Sequence, residues 1–598
     1  MRDGVVFSLP DGSQSFTGRR WVWRSGASQD AAAVERMAAA IAQVHGVPDV
    51  AARLLAARGQ DVDSAATFLE PRLRDLLPDP SGLQDMDAAA DRIAAAVRRG
   101  EPIAIFGDYD VDGATASALL CRHLIAVGAT VSVYIPDRLA EGYGPNAPAL
   151  RGLRAAGAAL CITVDCGITA FEALAAAAGC GLEMIVVDHH QAEPALPVAV
   201  AVVNPNRLDD RSGQGVLAAV GVAFLLAVAV NRALRRAGHF AARAEPDLIG
   251  LLDLVAVGTV CDVVPLTGLN RALVAQGLRV LARGENVGLA ALAEVAGLDA
   301  VASAYHLGFV IGPRINAGGR VGTPDLGARL LRTDDPAEAR DLARRLHALN
   351  EERRALEADT LADAIARVDR GEGVDDGLIL LADTGWHPGV VGIVAARLKD
   401  RYHRPAFVGG SDGAVVKASG RSIAGVDLGA AVIAARQAGL LVNGGGHAMA
   451  AGLTVAVDRL AAAHAFLAGR IGAQTGHQPI APTLSIDDAL SLRGAGLPVI
   501  DAVDRLEPFG SANPRPRFGW FNVMLVHAEP VGEGGHLRCR LADSTGGQAK
   551  AMAFRALQGP LGDGLLGARD RVIHIAGTLR RDRWRGTETA LLTIDDAA

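Results

Sequence analysis

The sequence predicts an α/β protein of several parts: a parallel-sheet domain, a smaller α/β domain joined to it by a long helix, and a C-terminal β-barrel. Three observations predict it. From Ile103 to Val203, short apolar runs rich in β-branched residues alternate with alanine-rich helical stretches, the pattern of βαβ units around a buried parallel sheet. Between Ala337 and Val368, leucines 342, 346, 349 and 356 share one face of a charge-rich segment, which fits one long exposed helix. After residue 481 come short strands broken by Gly, Asn and Pro turns, as in a small barrel. The 598 residues leave room for such a division, since domains average roughly 150 residues.

The parts follow in order. Residues 1–75 read as a polar leader and short helices, from Asp30 to Ala57 and around Ala65, with no legible chemistry. The first domain is assigned 76–300, with strands at Ile103–Phe106, Val131–Ile135, Leu160–Val164, Met184–Val187 and Val198–Val203 and a helical region after them. Residues 301–370 form a connecting segment carrying the long helix. The second α/β domain spans 371–475 and opens on the strand LILLAD at Leu378. GHQPIAPT (476–483) is a linker, and the barrel occupies 481–598.

Composition narrows the function. Half the residues are hydrophobic and 21% are charged, which excludes a mainly disordered chain. Of 59 basic residues only Lys399, Lys417 and Lys550 are lysine, a bias that a GC-rich genome explains better than a selected arginine surface does. A net charge of −7 excludes a uniformly basic nucleic-acid coat and leaves room for a local positive groove. The barrel segment carries 14 basic and 14 acidic side chains, so a positive face there must be local. Six cysteines form no CxxC pair and read as reduced thiols. The start MRDGVVFSLPDG has no signal-peptide core, and the apolar run Val216–Val230 is 15 residues, short of the roughly 20 that span a bilayer. It is expected to be a buried helix in a cytoplasmic protein without membrane contact.

The chemistry is expected at strand ends. The first strand runs into Gly107-Asp108-Tyr109-Asp110-Val111-Asp112-Gly113 and then a helix. A phosphate-cradling turn would be glycine-rich here; three carboxylates repel phosphate unless divalent cations lie between. Two further strands end in Asp165 and in Asp188-His189-His190. Strand C-termini of a parallel sheet line one crevice, so Asp110, Asp112, Asp165 and His189 are expected to converge. Carboxylates with imidazole suit Mn²⁺ or Mg²⁺ better than a thiolate-loving metal. A shared carboxylate between two ions is the usual two-metal hydrolase arrangement. A lone Asp after a strand is usually a turn or cap residue. Three carboxylates this close are costly without a cation.

DYDVDG (108–113), VDCG (164–167), DHH (188–190) and GTVCDVVPL (258–266) resemble, in order, the motifs of the DHH phosphoesterase superfamily. The resemblance continues through GPRINAGGR (312–320), WHPGVVGIVAARL (386–398), ASGRS (418–422), GGGHAMAAG (444–452) and LEPFGSANPRPRF (506–518). The full series, covering about residues 75–598, is similar to the superfamily's bacterial single-strand-specific 5′→3′ exonucleases. It implies a DHH domain, a connecting helix, a DHHA1 domain and an OB-fold. One departure is SANP (511–514), where many relatives have Gly in place of Ala512, a change expected to be harmless.

The resemblance also implies roles. Asp112, Asp165, His189 and Asp262 would hold one Mn²⁺ or Mg²⁺, and Asp110 with Asp165 a second. Asp108 would bind metal or orient water, Asp188 would support the ligands, and His190 would face the scissile phosphate. Arg138, Ser419, Arg421 and either Arg314 or Arg320 would bind a 5′-phosphate, with Asn316 and His447 as further substrate contacts. In the barrel, Phe518, Trp520, Phe521 and Trp584 are candidates to stack bases, with an ordinary core role the alternative for most of them, and Arg515, Arg517, Arg583 and Arg585 are candidates to follow phosphates. The expected substrate is single-stranded DNA, cleaved by a monomer to 5′-mononucleotides in repair and recombination, with a helicase and a single-strand-binding protein as partners. One rival is a DHH phosphodiesterase for short RNA or cyclic dinucleotides, which has no need of a stacking barrel. The other is a non-enzymatic scaffold, which would require lost ligands.

Overall fold

A computed structural model describes residues 15–24, 31–138, 140–298, 302–584 and 586–598, with Ala31 and Trp584 described in their backbone alone. The chain forms two compact units, Arg72–Pro479 with Gly510–Ala512, and the remainder.

The unit beginning at Arg72 opens on a five-stranded parallel sheet: β1 (Ile103–Gly107), β2 (Val131–Tyr134), β3 (Leu160–Val164), β4 (Glu183–Val187) and β5 (Ala201–Val203). Its spatial order is 2-1-3-4-5. Every residue of β1 and β3 is buried, because both faces are covered. Ile103 and Ile105 join a large core with the helices Met86–Arg99, Val111–Ala126, Ala219–Arg236 and Leu252–Cys261. Ala104 and Phe106 point the other way, into a smaller core with Ala147–Ala155 and Phe171–Gly179. The uncharged run from Val216 becomes the buried helix Ala219–Arg236. The fifth strand is shorter than its apolar run, since Val198 and Val200 are exposed. Strand order reverses between β1 and β3, so the loops leaving those two strands flank the topological switch point where such sheets bind ligands.

The long helix runs Pro336–Asp369, 34 residues, with Asp335 capping its start and Pro336 in its first turn. Leu342 and Leu346 are buried, and Glu357 joins Arg353 (2.6 Å) to Arg397 (3.3 Å) of the second lobe. That lobe is a six-stranded mixed sheet in which Leu378–Asp383 and Ala406–Ser411 are parallel, and Val415–Arg421 lies antiparallel between Ala406–Ser411 and Ala450–Ala456.

In the other unit, Phe518–Val531, His536–Ala542, Gln548–Ala553, Thr587–Ala597 and Val572–Trp584 pair in that circular order and close a five-stranded barrel. The N-terminal helices Ala31–His45, Asp49–Ala57 and Val62–Leu69 share its core. The strand Arg20–Trp23 pairs in parallel with Thr483–Ile486. The sequence held no sign of this partnership. Ala512 adopts φ +58°, a region that costs a non-glycine residue about 1–2 kcal/mol, so Ala at this position is strained rather than harmless. The six cysteines are free. Among the described residues no helix is long and apolar enough to cross a membrane.

Candidate metal centre and anion cleft

β1 delivers Asp108 into the switch-point crevice, where it is 5% exposed and accepts the Tyr109 N–H. The chain then turns sharply into Val111–Ala126. Asp110 caps that helix through the Gly113 N–H at 3.0 Å. Gly113 is required, because a Cβ there would lie 2.6 Å from the Asp108 backbone. Asp112, one residue into the helix, is fully buried and accepts the N–H groups of Ala219 (2.6 Å) and Val220 (2.9 Å). Those donors open the helix Ala219–Arg236, whose N-terminus favours a negative group.

Asp165 follows β3 at φ +61°, is 2% exposed, and has its carbonyl held by the Tyr143 hydroxyl at 3.2 Å. Asp188 follows β4 and is fully buried. It accepts the N–H groups of Ile168, His189 and His190 as well as His190 Nδ1 at 2.7 Å. This makes it a support for the neighbouring imidazoles. His189 bonds the Leu217 carbonyl through Nδ1 at 3.1 Å and turns Nε2 toward Asp165 (3.3 Å), Asp262 (3.7 Å) and Asp112 (3.9 Å). Asp262 caps the C-terminal end of Leu252–Cys261. Gly258 brings that helix in, since a Cβ there would meet Thr115 Oγ1 at 2.3 Å and Asp112 Oδ1 at 2.9 Å. Val263 follows at φ +62°, a costly conformation for a β-branched residue and a mark of a constrained site.

Three donor groups result: Asp108 with Asp110 and Asp165, Asp112 with His189 and Asp262, and Asp165 with both histidines. Burial, reinforced by Asp110, raises Asp108 to about 8. Burial with Asp262 raises Asp112 to about 7, and burial with Asp110 raises Asp262 to about 7. Burial and the neighbouring acids push Asp165 well above the usual range. Asp188 goes the other way: burial opposes its charge, but His190 and the backbone donors outweigh it and hold the carboxyl low. Burial likewise opposes the His190 charge, yet the Asp188 hydrogen bond and charge prevail and lift it to about 9. Two buried atoms, His189 Nε2 and Asp262 Oδ2, have no hydrogen-bond partner. A hard divalent cation satisfies both and relieves the acids, so the donor set fits Mn²⁺ or Mg²⁺.

A cluster of arginines adjoins the acids. Arg138 lies over the Tyr109 ring at 5.4 Å and within electrostatic reach of Asp108. Arg320 donates to the Gly389 carbonyl at 3.2 Å and feels Arg138, Arg421 and Asp110. Burial and those cations push it down to about 10. Arg421 donates to the Gly420 carbonyl and is lowered by burial and by Arg138. None of the three forms an ion pair among the described residues, an arrangement suited to a dense anion. Arg138 also borders a cavity of about 470 Å³ with Lys417, Ser419, Asn443, Gly445 and Thr454.

The structure thus gathers Asp108, Asp110, Asp112, Asp165, Asp188, His189, His190 and Asp262 into one centre, and Arg138, Ser419, Arg320 and Arg421 beside it. Arg314 stands apart, bonded to the Val310 carbonyl and His347. Asn316 is half-buried on the same helix, Gly312–Val321. His447 is exposed at the end of the strand Asn443–His447, which lies at the edge of the second lobe's sheet. For Phe518, Trp520 and Phe521 the structure favours the core alternative. Trp520 is 0%, Phe518 1% and Phe521 8% exposed; they build the barrel's cores, and their ring faces are covered by protein. Arg517 is paired with Asp595 at 2.8 Å and Arg515 with Glu507 at 2.8 Å. Arg583 is paired with Glu588 at 2.8 Å. Arg585 and the Trp584 side chain lie outside the described residues. Sequence reasoning also missed Tyr143, Asn204, which donates to the His190 carbonyl at 2.9 Å, and Asn206, which donates to that of His189. The signal was the Asn-Pro-Asn directly after β5.

A switch-point sheet whose strand ends carry this acid–histidine set defines a DHH-type phosphoesterase. Family profiles agree: the DHH family, N-terminal domain matches residues 102–259, the DHHA1 domain 375–473 and the RecJ OB domain 486–596. The single-stranded-DNA-specific exonuclease RecJ of Escherichia coli is 35% identical over 583 residues, covering 92% of this chain and 96% of that protein. The one from Bacillus subtilis is 36% identical, covering 93% and 68%. The crystal structure of RecJ in complex with Mn²⁺ from Thermus thermophilus superposes with a TM-score of 0.79 at 33% identity, covering 94% of this chain and 78% of that one. The chain belongs to the RecJ family.

Proposed function

We propose that this protein is a metal-dependent exonuclease that degrades single-stranded DNA from its 5′ end to 5′-mononucleotides. The observation that carries the reading is a cation-seeking acid–histidine cluster beside an arginine cluster that has no carboxylate partner among the described residues. Asp112, Asp165, His189 and Asp262 would hold one Mn²⁺ or Mg²⁺ and Asp110 with Asp165 a second, while Asp108 either completes the second site or orients water. Bound there, the ions would lower the pKa of a water and neutralise charge in the transition state. His189 is oriented for its part by Leu217, and the Asp188–His190 pair keeps a cationic imidazole beside the acids, available to a phosphate oxygen. Arg138, Arg320, Arg421 and Ser419 would engage a terminal 5′-phosphate, whose extra charge distinguishes it from an internal one. Polarity needs such an end site, because a metal centre alone cuts any phosphodiester that reaches it. Arg320 fills this role better than Arg314, since it alone joins the cluster.

Acting in repair and recombination, such an enzyme would work in the cytoplasm, as a monomer, beside a helicase that opens duplexes and a single-strand-binding protein that presents the strand. Digestion of 5′-labelled and 3′-labelled single strands and duplexes with Mn²⁺, Mg²⁺ or EDTA tests the reading. Release of 5′-mononucleotides from the 5′ end of single strands, abolished by EDTA, is expected. Metal-independent cleavage, or none, would overturn it.

A further inference from the structure

Tyr305 and Phe309 present two stacked aromatic rings to solvent. Their centroids are 4.9 Å apart with 29° between the planes, yet the residues are 60% and 71% exposed. The other exposed large aromatics among the described residues are Tyr143, beside His190, and Phe554. The pair's position is fixed from beneath. Leu307 and Ile311 of the same turn are buried, and the Cys261 thiol donates to the Leu307 carbonyl at 3.4 Å. Cys261 directly precedes Asp262, so the aromatic turn rests on the helix that delivers a metal-site acid.

The turn leads into Gly312–Val321. Near the other end of that helix, Gly319 abuts Tyr109, where a Cβ would lie 2.8 Å from the Tyr109 carbonyl oxygen. Ten residues of helix separate Phe309 from this contact with the acidic loop, about 15 Å, or roughly four stacked nucleotides at 3.4 Å each. One turn into the helix, Arg314 is tethered to Val310 and His347 and forms no ion pair among the described residues, while its neighbours Glu351 and Arg354 pair with each other. Flat ring faces followed by a guanidinium held in place without a carboxylate partner among the described residues match the alternation of base and phosphate.

We infer that Tyr305 and Phe309 form a base-stacking platform that grips the single strand a few nucleotides from the metal centre. The inference rests on the exonuclease reading above. It assigns the stacking role to this turn of the connecting segment, in place of the buried barrel aromatics.

The test is an abasic walk. Strands with a 5′-phosphate carry one abasic nucleotide at successive positions 2 to 8, and KM and kcat are measured with Mn²⁺. The parent should show KM raised at least about fivefold at one or two adjacent positions, the lower end for losing one stacked base. Tyr305→Ala/Phe309→Ala should raise KM on the intact strand by a similar factor, flatten the positional profile and leave kcat within twofold. Tyr305→Leu/Phe309→Leu keeps an apolar surface without flat rings; it should behave the same way, and it decides the matter if the alanine pair does not fold. A flat parental profile, a variant profile like the parent's, or a loss confined to kcat overturns the platform while leaving the exonuclease reading standing. Failure of the parent to cleave single strands overturns that reading, and the platform with it.

Discussion

His189 Nε2 stands 3.3 Å from Asp165 Oδ1 and makes no hydrogen bond to it. The orientation is set at the other ring nitrogen. The Leu217 carbonyl can only accept, so Nδ1 donates to it and the ring is held with Nε2 toward the acids. Nε2 thereby faces oxygens of Asp165, Asp262 and Asp112. A cation placed among these atoms would satisfy the nitrogen and the carboxylates together.

Metal binding should therefore be coupled to protons. Asp108 at about 8, and Asp112 and Asp262 at about 7, lie far above the roughly 4 of a free carboxyl. A carboxyl raised by folding stabilises the protonated fold, and that contribution is lost as pH climbs from about 4 through 7 and 8. The metal-free protein should melt at a lower temperature at pH 8 than at pH 6. Cations bind the ionised form, so added Mn²⁺ should raise the melting temperature more at pH 8, with protons released on binding. Thermal melts with and without Mn²⁺ at pH 6, 7 and 8 check this; equal Mn²⁺ increments at the two ends would contradict the coupling.

Asp165→Ala should abolish cleavage and leave single-strand affinity within about threefold. Asp165 belongs to two of the three donor groups, whereas affinity comes mainly from phosphate contacts and stacking. Residual activity above a hundredth of the parent would remove Asp165 from its bridging role. Asp165→Asn preserves the side-chain shape and serves as a folding control.

The acid–histidine cluster was legible because most of its members follow strand ends, and strand ends are readable from apolar runs. Asp262 was reachable only through the family resemblance: it ends a helix, and the close approach allowed by Gly258 is a tertiary fact. The barrel aromatics stayed open between stacking and core because WF in an alternating strand does not say which face is inward; Trp520 is enclosed. The choice between Arg314 and Arg320, both on one helix, depended on which face meets the second lobe. The pairing of Arg20–Trp23 with Thr483–Ile486 joins segments more than 450 residues apart, and nothing local encodes it.

That pairing should matter for stability. Trp21 Nε1 donates to Asp596 Oδ2 at 2.9 Å, and Asp596 is fully buried. Trp21→Phe keeps an aromatic ring and removes the donor, leaving a buried carboxylate oxygen unsatisfied at a cost of about 1–3 kcal/mol. The barrel unit should melt several degrees lower by circular dichroism, with metal-centre activity at low temperature unchanged. Trp21→Phe with Asp596→Asn, which removes the charge, should recover part of the loss. An unaltered melt for the single variant would mean that water replaces the indole.

The end-binding role proposed for the arginine cluster can be separated from general phosphate attraction. Arg421 is half-buried, with Arg138 depressing its pKa alongside burial, and Ser419 lies two residues before it on the strand Val415–Arg421. An internal phosphodiester carries one negative charge. A terminal phosphate carries nearly two and an additional oxygen, so a guanidinium fork gains more from it. Arg421→Ala should therefore lower kcat/KM on 5′-phosphorylated strands by at least tenfold while changing that on 5′-hydroxyl strands less than threefold. Arg320→Met should show the same selectivity, and Arg314→Met should not, because Arg314 is bonded to Val310 and His347 away from the cluster. Measuring kcat/KM for the three variants on both substrates decides it. An equal loss on the two substrates would reduce Arg421 to a backbone contact, and selectivity appearing in Arg314→Met would move the end site off the cluster.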